Sequence, residues 1–124
     1  MKKYLKLLSC LLAIMLVGCD KNNYNTPQVD TNEYYVRYSL SFSPYIVVNP
    51  KVTYADVDGM KTPIENTKTS LWEVTIGPVQ KGFKAYVSYT GETTPVAKIE
   101  VCKNSGPFAL KATGTNSAEY KIDF

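Results

Sequence analysis

The sequence of 124 residues contains no histidine. Histidine is the commonest general base and the commonest metal ligand, so its absence excludes His-dependent catalytic triads and His-containing zinc sites. A surplus of positive charge is also nearly missing: the 14 basic and 11 acidic residues give a formal charge of +3, and three of the lysines lie within the first six residues. Without those three lysines the charges balance, which disfavours a nucleic-acid partner.

Cysteine is scarce as well, at positions 10, 19 and 102. The first two lie within or directly after the N-terminal apolar run, so no intramolecular disulfide is expected once that run is removed. Cys102 has no histidine to activate it and no second thiol to resolve an intermediate, and we interpret it as a small packing side chain. The sequence also lacks a Gly-x-Ser-x-Gly nucleophile motif. We therefore expect no catalytic residues, no cofactor and no enzymatic activity.

The N-terminus has the organisation of a signal peptide. Three lysines precede an apolar run over residues 7–17, which at 11 residues is shorter than the roughly 20 needed to span a bilayer. The run ends in the tetrad Leu-Val-Gly-Cys at residues 16–19, which resembles the lipobox of bacterial lipoproteins. This resemblance implies cleavage before Cys19 and a covalent lipid on its thiol. The alternative is an ordinary secretory signal followed by an incidental cysteine.

This interpretation divides the chain into three parts: a lipoprotein signal peptide over residues 1–18, the lipidated Cys19 with a flexible tether over 19–32, and a folded domain over 33–124. The tether is polar, contains Pro27 and lacks hydrophobic periodicity. Two or three acyl chains would hold the protein in a membrane stably. We expect a lipid-anchored protein of the bacterial envelope, at the outer membrane. The sequence leaves open whether the domain faces the periplasm or the cell surface.

From Glu33 onward, apolar and polar residues alternate, which is typical of half-buried β-strands. The first strand is expected over 33–42, and a hairpin is expected at Asp58-Gly59. Gly77-Pro78 and Lys81-Gly82 are expected to bracket a connection between two strands, and a polar loop is expected over 113–117 before the last strand. The residues expected to face the core are Tyr34, Val36, Tyr38, Leu40, Phe42, Val52, Tyr54, Trp72, Val74, Ile76, Phe83, Ala85, Val87, Tyr89, Ala97, Ile99, Val101, Tyr120, Ile122 and Phe124.

Seven or eight short strands without a helical period predict an all-β fold, an antiparallel β-sandwich. We expect an immunoglobulin-like or transthyretin-like Greek key of about seven strands. A closed barrel is the alternative, and the strand order stays open.

The segment over 54–65 partly resembles a calcium-binding loop, because Asp56 and Asp58 are followed by a glycine and later by Glu65. However, a tyrosine stands where such a loop has its first aspartate. Lys61 stands at a position that is usually aliphatic, and strands rather than helices flank the segment. A hairpin turn is therefore favoured, and no metal ligands are assigned.

Tyrosine is abundant, with ten residues. Tyr35 and Tyr86 lie on the polar side of their strands, where the alternation predicts exposure. Exposed aromatic rings hold sugars and anchor protein interfaces, so these two are candidate ligand-binding residues. The alternative is that tyrosine serves here as a strand former that covers the sheet faces.

Several segments together resemble a group of small uncharacterised lipoproteins from gut Bacteroidetes: the lipobox, Tyr34–Tyr38, Val52–Tyr54, Trp72–Val79 and Lys81–Ala85. More loosely, the chain is similar to the mycobacterial small membrane proteins, membrane-anchored β-sandwiches that accompany lipid transporters. The resemblance implies a membrane-anchored β-sandwich with an accessory role in the envelope.

Our hypothesis is a lipid-anchored β-sandwich lipoprotein that acts as a non-enzymatic interaction or accessory module. The alternative is a glycan-binding or small-ligand-binding lipoprotein that uses exposed tyrosines. The expected partners are the membrane, through the lipid on Cys19, and an envelope protein or a glycan.

Overall fold

The computed structural model describes residues 30–124. The predictions for the signal peptide, for Cys19 and for most of the tether lie outside the described residues. Within 30–124 the chain forms strands, and no helix there is long and apolar enough to cross a membrane. The strands are β1 (Tyr34–Ser41), β2 (Val47–Val48), β3 (Lys51–Asp56), β4 (Gly59–Lys61), β5 (Lys68–Thr69), β6 (Leu71–Val79), β7 (Lys84–Thr90), β8 (Val96–Lys103), β9 (Ala109–Thr115) and β10 (Ser117–Lys121).

The described strands form two four-stranded antiparallel sheets and one short ribbon. Sheet 1 has the order β6-β1-β8-β9, sheet 2 has the order β10-β7-β3-β4, and β2 pairs with β5. The predicted all-β antiparallel sandwich is confirmed, with separate sheets rather than a closed barrel. β1 and β3, its first two strands, lie in opposite sheets, whereas the immunoglobulin order places its first two strands in one sheet. Alternation of side chains does not reveal this order.

Inward side chains of both sheets meet in one hydrophobic core. The inward residues of β1 are Tyr34, Val36, Tyr38 and Leu40, and all four are fully buried. The other residues expected to face the core either belong to it or pack against it. Full burial of one such aliphatic side chain contributes about 1.5–3 kcal/mol. The predicted alternation is therefore confirmed for the core-facing residues of β1, β3, β6, β7, β8 and β10.

The predicted start of one connection is part of a strand. The chain at Gly77-Pro78 continues β6 as far as Val79, through a β-bulge. Tyr34 pairs with Val79, and the next recorded pair is Val36 with Ile76, so Tyr35 alone faces two residues of β6. The predicted start of the connection was wrong because glycine and proline also mark bulges and edge strands, and β6 is an edge strand. The turn at Lys81-Gly82 is confirmed.

A second predicted loop is also wrong. Most of residues 113–117 is strand, because β9 runs to Thr115 and β10 begins at Ser117. Asn116 alone separates the two strands, and its φ of 68° lies in the left-handed region that asparagine tolerates. There the chain passes from sheet 1 to sheet 2. The end of β9 is polar because the strand lies at the edge of its sheet, which hides the alternation.

The two ends of the sandwich can be identified from the strand register. Tyr34, at the start of β1, pairs with the ends of β6 and β8, and Ser41 pairs with their starts. We call these the N-terminal end and the ribbon end, because the β2–β5 ribbon follows Ser41. At the N-terminal end, the Asn104 N–H donates to the Glu33 carbonyl at 2.6 Å, and its side-chain amide donates to Asn32 Oδ1 at 3.0 Å. The last residues of the predicted tether therefore contact the domain.

The β6 bulge brings Gly77 against β1. A Cβ atom at Gly77 would lie 2.7 Å from Tyr35 Cδ1 and 2.9 Å from the Tyr34 carbonyl oxygen, and its φ is +138°. Both the space and the backbone conformation therefore require glycine.

Replacing Gly77 with alanine is expected to lower the free energy of unfolding by about 2–4 kcal/mol, from strain and overpacking together. Gly59→Ala is the matched control, because Gly59 has a similar φ of +130° and no heavy atom within 4 Å of an added Cβ. We expect that control to cost about 1 kcal/mol. Urea denaturation measures both, and equal losses would contradict the steric part of the explanation.

Candidate functional site

Strands β3 and β7 of sheet 2 pair along only part of their length. Their ladder ends at Tyr54 and Val87, although β3 continues to Asp56 and β7 begins at Lys84. Beyond that pair, β3 turns into β4, and β7 stays paired with β10. The separation leaves a cleft of about 780 Å³, which we call the β3–β7 cleft.

The hydroxyl of Tyr38 lies between the separated strands. Tyr38 extends from β1 of sheet 1 across the core, and its O–H donates to the Ala55 carbonyl at 2.7 Å. The same oxygen accepts the Tyr86 N–H at 3.3 Å. Ala55 and Tyr86 would form the next pair of the ladder. The hydroxyl therefore satisfies two backbone groups that the separation would otherwise leave unpaired.

Burial fixes the protonation state of this hydroxyl. Removal from water raises the pKa of Tyr38 far above its ordinary value, because the phenolate would lose its hydration; the nearby Asp56 charge acts in the same direction. The hydroxyl therefore remains protonated and acts as a donor towards Ala55 throughout the physiological pH range.

Small and aromatic side chains form much of the lining of the cleft. Ala55 is buried there and Ala85 belongs to the core, whereas Met60 is 56% exposed. Tyr86 and Tyr120 are half-buried. A ligand in the cleft would meet apolar and aromatic surface between the backbones of β3, β7 and β10.

Charged groups of both signs border this lining. Lys84 pairs with Lys121 across β7 and β10, so two positive charges lie directly opposite each other. Glu119 and Asp123 supply two negative charges. Asp123 Oδ1 accepts the Tyr120 O–H at 3.0 Å, and the pKa of Tyr120 is raised, first by burial and then by this hydrogen bond. The two positive and two negative side chains therefore give the cleft no net charge.

The structure separates the two tyrosines that the sequence selects. Tyr86 lines the β3–β7 cleft on sheet 2. Tyr35 lies in sheet 1, where it pairs with Cys102 and packs against Gly77, so it is on the opposite side of the sandwich. Cys102 is buried, and its thiol donates to the Asn104 carbonyl at 3.2 Å. The two tyrosines therefore do not form one binding platform.

The segment that partly resembles a calcium loop forms the predicted hairpin between β3 and β4, with Val57 and Asp58 in its turn. The Lys61 ammonium lies 2.7 Å from Asp56 Oδ2 and 3.4 Å from Asp58 Oδ1. Its hydrogen bond lowers the pKa of Asp56 below the ordinary value. A lysine therefore occupies the space between these carboxylates. Among residues 30–124 no group of three or more potential ligating side chains could hold a metal ion.

The ribbon end carries a second notable surface, made of exposed apolar side chains. Ile46 is 70% exposed, and Ile64 is completely exposed. Backbone hydrogen bonds join the loop after β1 to the segment before β6, from Phe42 N–H to the Ser70 carbonyl and from Asn49 N–H to the Thr67 carbonyl. We call this surface the apolar tip, and it consists of Tyr45, Ile46, Val48, Ile64 and Leu71.

Sequence reasoning did not identify the partners of Tyr86 in the cleft. Tyr120 was expected to face the core, and it does pack against the core while also lining the cleft. Lys84 and Lys121 looked like ordinary outward residues. Only the register of β7 with β10 places them together, and no local signal in the sequence reports that register.

Comparison of the chain with protein-family models, with curated proteins and with solved structures finds no significant match. The geometry and chemistry of the cleft and of the apolar tip are therefore what indicates a function.

Replacing Tyr38 with phenylalanine is expected to lower the free energy of unfolding by about 1–3 kcal/mol, because the Ala55 carbonyl and the Tyr86 amide lose their partner. Amide hydrogen exchange at Tyr86 should accelerate in the same variant. Tyr54→Phe is the matched control: its ring lies 5.7 Å from that of Tyr38, and its hydroxyl makes no hydrogen bond within residues 30–124. If Tyr54→Phe lowers the free energy of unfolding as much as Tyr38→Phe does, the two hydrogen bonds of the Tyr38 hydroxyl are unimportant for stability.

Proposed function

We propose that the protein is a lipid-anchored, non-enzymatic interaction module of the bacterial envelope, held in the membrane by acyl chains on Cys19. The lipobox-like tetrad and the polar segment after it support the anchor. The apolar tip carries the proposal of an interaction, because the segments around the β2–β5 ribbon expose several large apolar side chains, and exposed apolar surface marks contact sites in soluble domains.

The position of the tip strengthens this proposal. The tether joins the domain at the N-terminal end, next to Tyr34, whereas the tip lies beyond Ser41 at the ribbon end. Eight residues of β1 separate the two ends by roughly 26 Å. The tip therefore lies at the end of the domain opposite to the tether, where the attachment to the membrane leaves it free to meet another envelope component.

The chemistry of the tip indicates a protein partner with an apolar surface. Aliphatic side chains and the aromatic ring of Tyr45 dominate it, and the fully buried centre of a protein interface is apolar and rich in aromatic residues. A partner that covers the tip would remove fully exposed side chains such as Ile64 from water.

The second candidate is binding of a glycan or another small ligand through tyrosine. One observation favours it: Tyr86 lines the β3–β7 cleft, beside Tyr120. The two candidates use different ends and faces of the domain, so one protein could perform both.

The lipid anchor predicts incorporation of an alkyne-labelled fatty acid into the protein in growing cells. Cys19→Ala should abolish the label, because the acyl chains need that thiol. Cys10→Ala, within the same N-terminal segment, should leave the label unchanged. A Cys19→Ala protein that still carries the label would overturn the anchor.

The interaction at the tip predicts a discrete cross-linked adduct in intact cells when a photoreactive amino acid replaces Ile64. The same amino acid at Lys98, an exposed position on the outer face of sheet 1, should give no such adduct. Adding Ile46→Asp to the Ile64 probe should remove the adduct, because a carboxylate in an apolar contact is unfavourable. Equal adducts at Ile64 and Lys98 would count against a specific contact.

A further inference from the structure

We infer that the β3–β7 cleft is a binding site for an uncharged saccharide, with the Tyr86 ring as its stacking surface. This inference rests on the second candidate function and names its ligand class. It is independent of the proposed protein contact at the apolar tip.

Hydrogen bonds fix the shape of the cleft, so it is not merely a frayed strand end. Tyr38 is fully buried, and its ring packs against Tyr54 at a centroid distance of 5.7 Å. Its hydroxyl bonds to both β3 and β7 at the point where they separate. A site that is already formed does not need to be ordered when a ligand binds, and this lowers the cost of binding.

The lining fits a flat, ring-shaped ligand. Ala55 is small and lies on the same face of sheet 2 as Tyr86, so its position leaves room above the backbone, and Tyr86 provides aromatic surface. The face of an aromatic ring carries negative charge, which attracts the C–H groups on the apolar face of a sugar. Tyr86 is the more suitable stacking residue, because Tyr120 also packs against the core and its hydroxyl is bonded to Asp123.

The polar groups indicate a ligand that both donates and accepts hydrogen bonds. Lys84 and Lys121 are donors, and within the described part of the chain neither forms an ion pair. Glu119 and Asp123 are acceptors. Sugar hydroxyls can satisfy both kinds of group, and the balanced charge selects for a ligand with no net charge.

Other ligand classes fit less well. A polyphosphate or nucleic acid would meet two carboxylates, and a lipid chain would bring apolar surface against four charged groups. An extended peptide would need an unpaired strand edge of several residues. The unpaired part of β7 that faces β3 covers only residues 84–86, and the Tyr86 amide is already bonded to Tyr38.

The test uses the full lipoprotein purified in dodecyldimethylamine oxide, because a detergent with a sugar headgroup would compete for the cleft. A microarray of neutral and acidic glycans identifies the ligand, and calorimetry with the best neutral oligosaccharide measures its affinity. Tyr86→Ala should weaken binding about tenfold, and Tyr86→Phe, which keeps the ring, should stay within about threefold. Tyr35→Ala is the matched control on the opposite side of the sandwich and should leave the affinity unchanged.

Three results would overturn the inference. The first is the absence of binding to every neutral glycan on the array. The second is binding to acidic glycans alone, abolished by added salt. The third is an equal loss of affinity in Tyr86→Ala and Tyr35→Ala, with circular dichroism showing that both variants are folded. Cross-linking at Ile64 uses other residues and another measurement. A negative result for saccharide binding would therefore not contradict the proposed protein contact at the apolar tip.

Discussion

The placement of the Tyr38 hydroxyl is the constraint on which the arrangement of the two sheets depends. The ring belongs to the core and the oxygen belongs to sheet 2, so one side chain fixes the position of β1 relative to both β3 and β7. A polar atom at this depth is unfavourable unless its hydrogen-bonding capacity is used, and here it both donates and accepts. Cys102 is the only cysteine among residues 30–124, and its thiol is free, so no disulfide joins the described sheets. Packing and this polar bridge hold them in register.

The same logic applies at the N-terminal end. Tyr34 is fully buried, its ring packs edge-on against Phe124 at 5.5 Å, and its hydroxyl donates to the Phe124 carbonyl at 2.5 Å. The Lys111 ammonium lies 3.8 Å from the centroid of the Phe124 ring. These contacts fasten the last residue of the sequence to the first strand. β1 has neighbours on both sides, β6 and β8, so a tether attached to it would pull on an interior strand of sheet 1.

The sequence predicted the core better than the connections, for a physical reason. Alternation is a local property of a strand. Burial of one face requires apolar residues such as Val36 and Leu40 at every second position. The residues of connections are compatible with more than one structure. Gly77-Pro78 can form a turn or a bulge, and a polar stretch such as 113–115 can form a loop or an edge strand. Strand order and register depend on contacts between distant parts of the chain. Tyr86 was therefore selected as an exposed ring, while its companions in the cleft were not.

The abundance of tyrosine unites these observations. A tyrosine ring supplies apolar area, and its hydroxyl supplies a donor and an acceptor at a fixed distance from the backbone. Tyr34 and Tyr38 use both properties inside the domain, where a phenylalanine would fill the space but leave carbonyls unpaired. Tyr86 and Tyr45 present the same combination to the outside, one in a cleft and one at the tip. In a chain without histidine, with Cys102 buried and its thiol bonded to a carbonyl, aromatic rings and balanced charges are the chemistry that these surfaces offer. In the binding functions proposed above, these rings and charges would recognise a partner or ligand by direct contact.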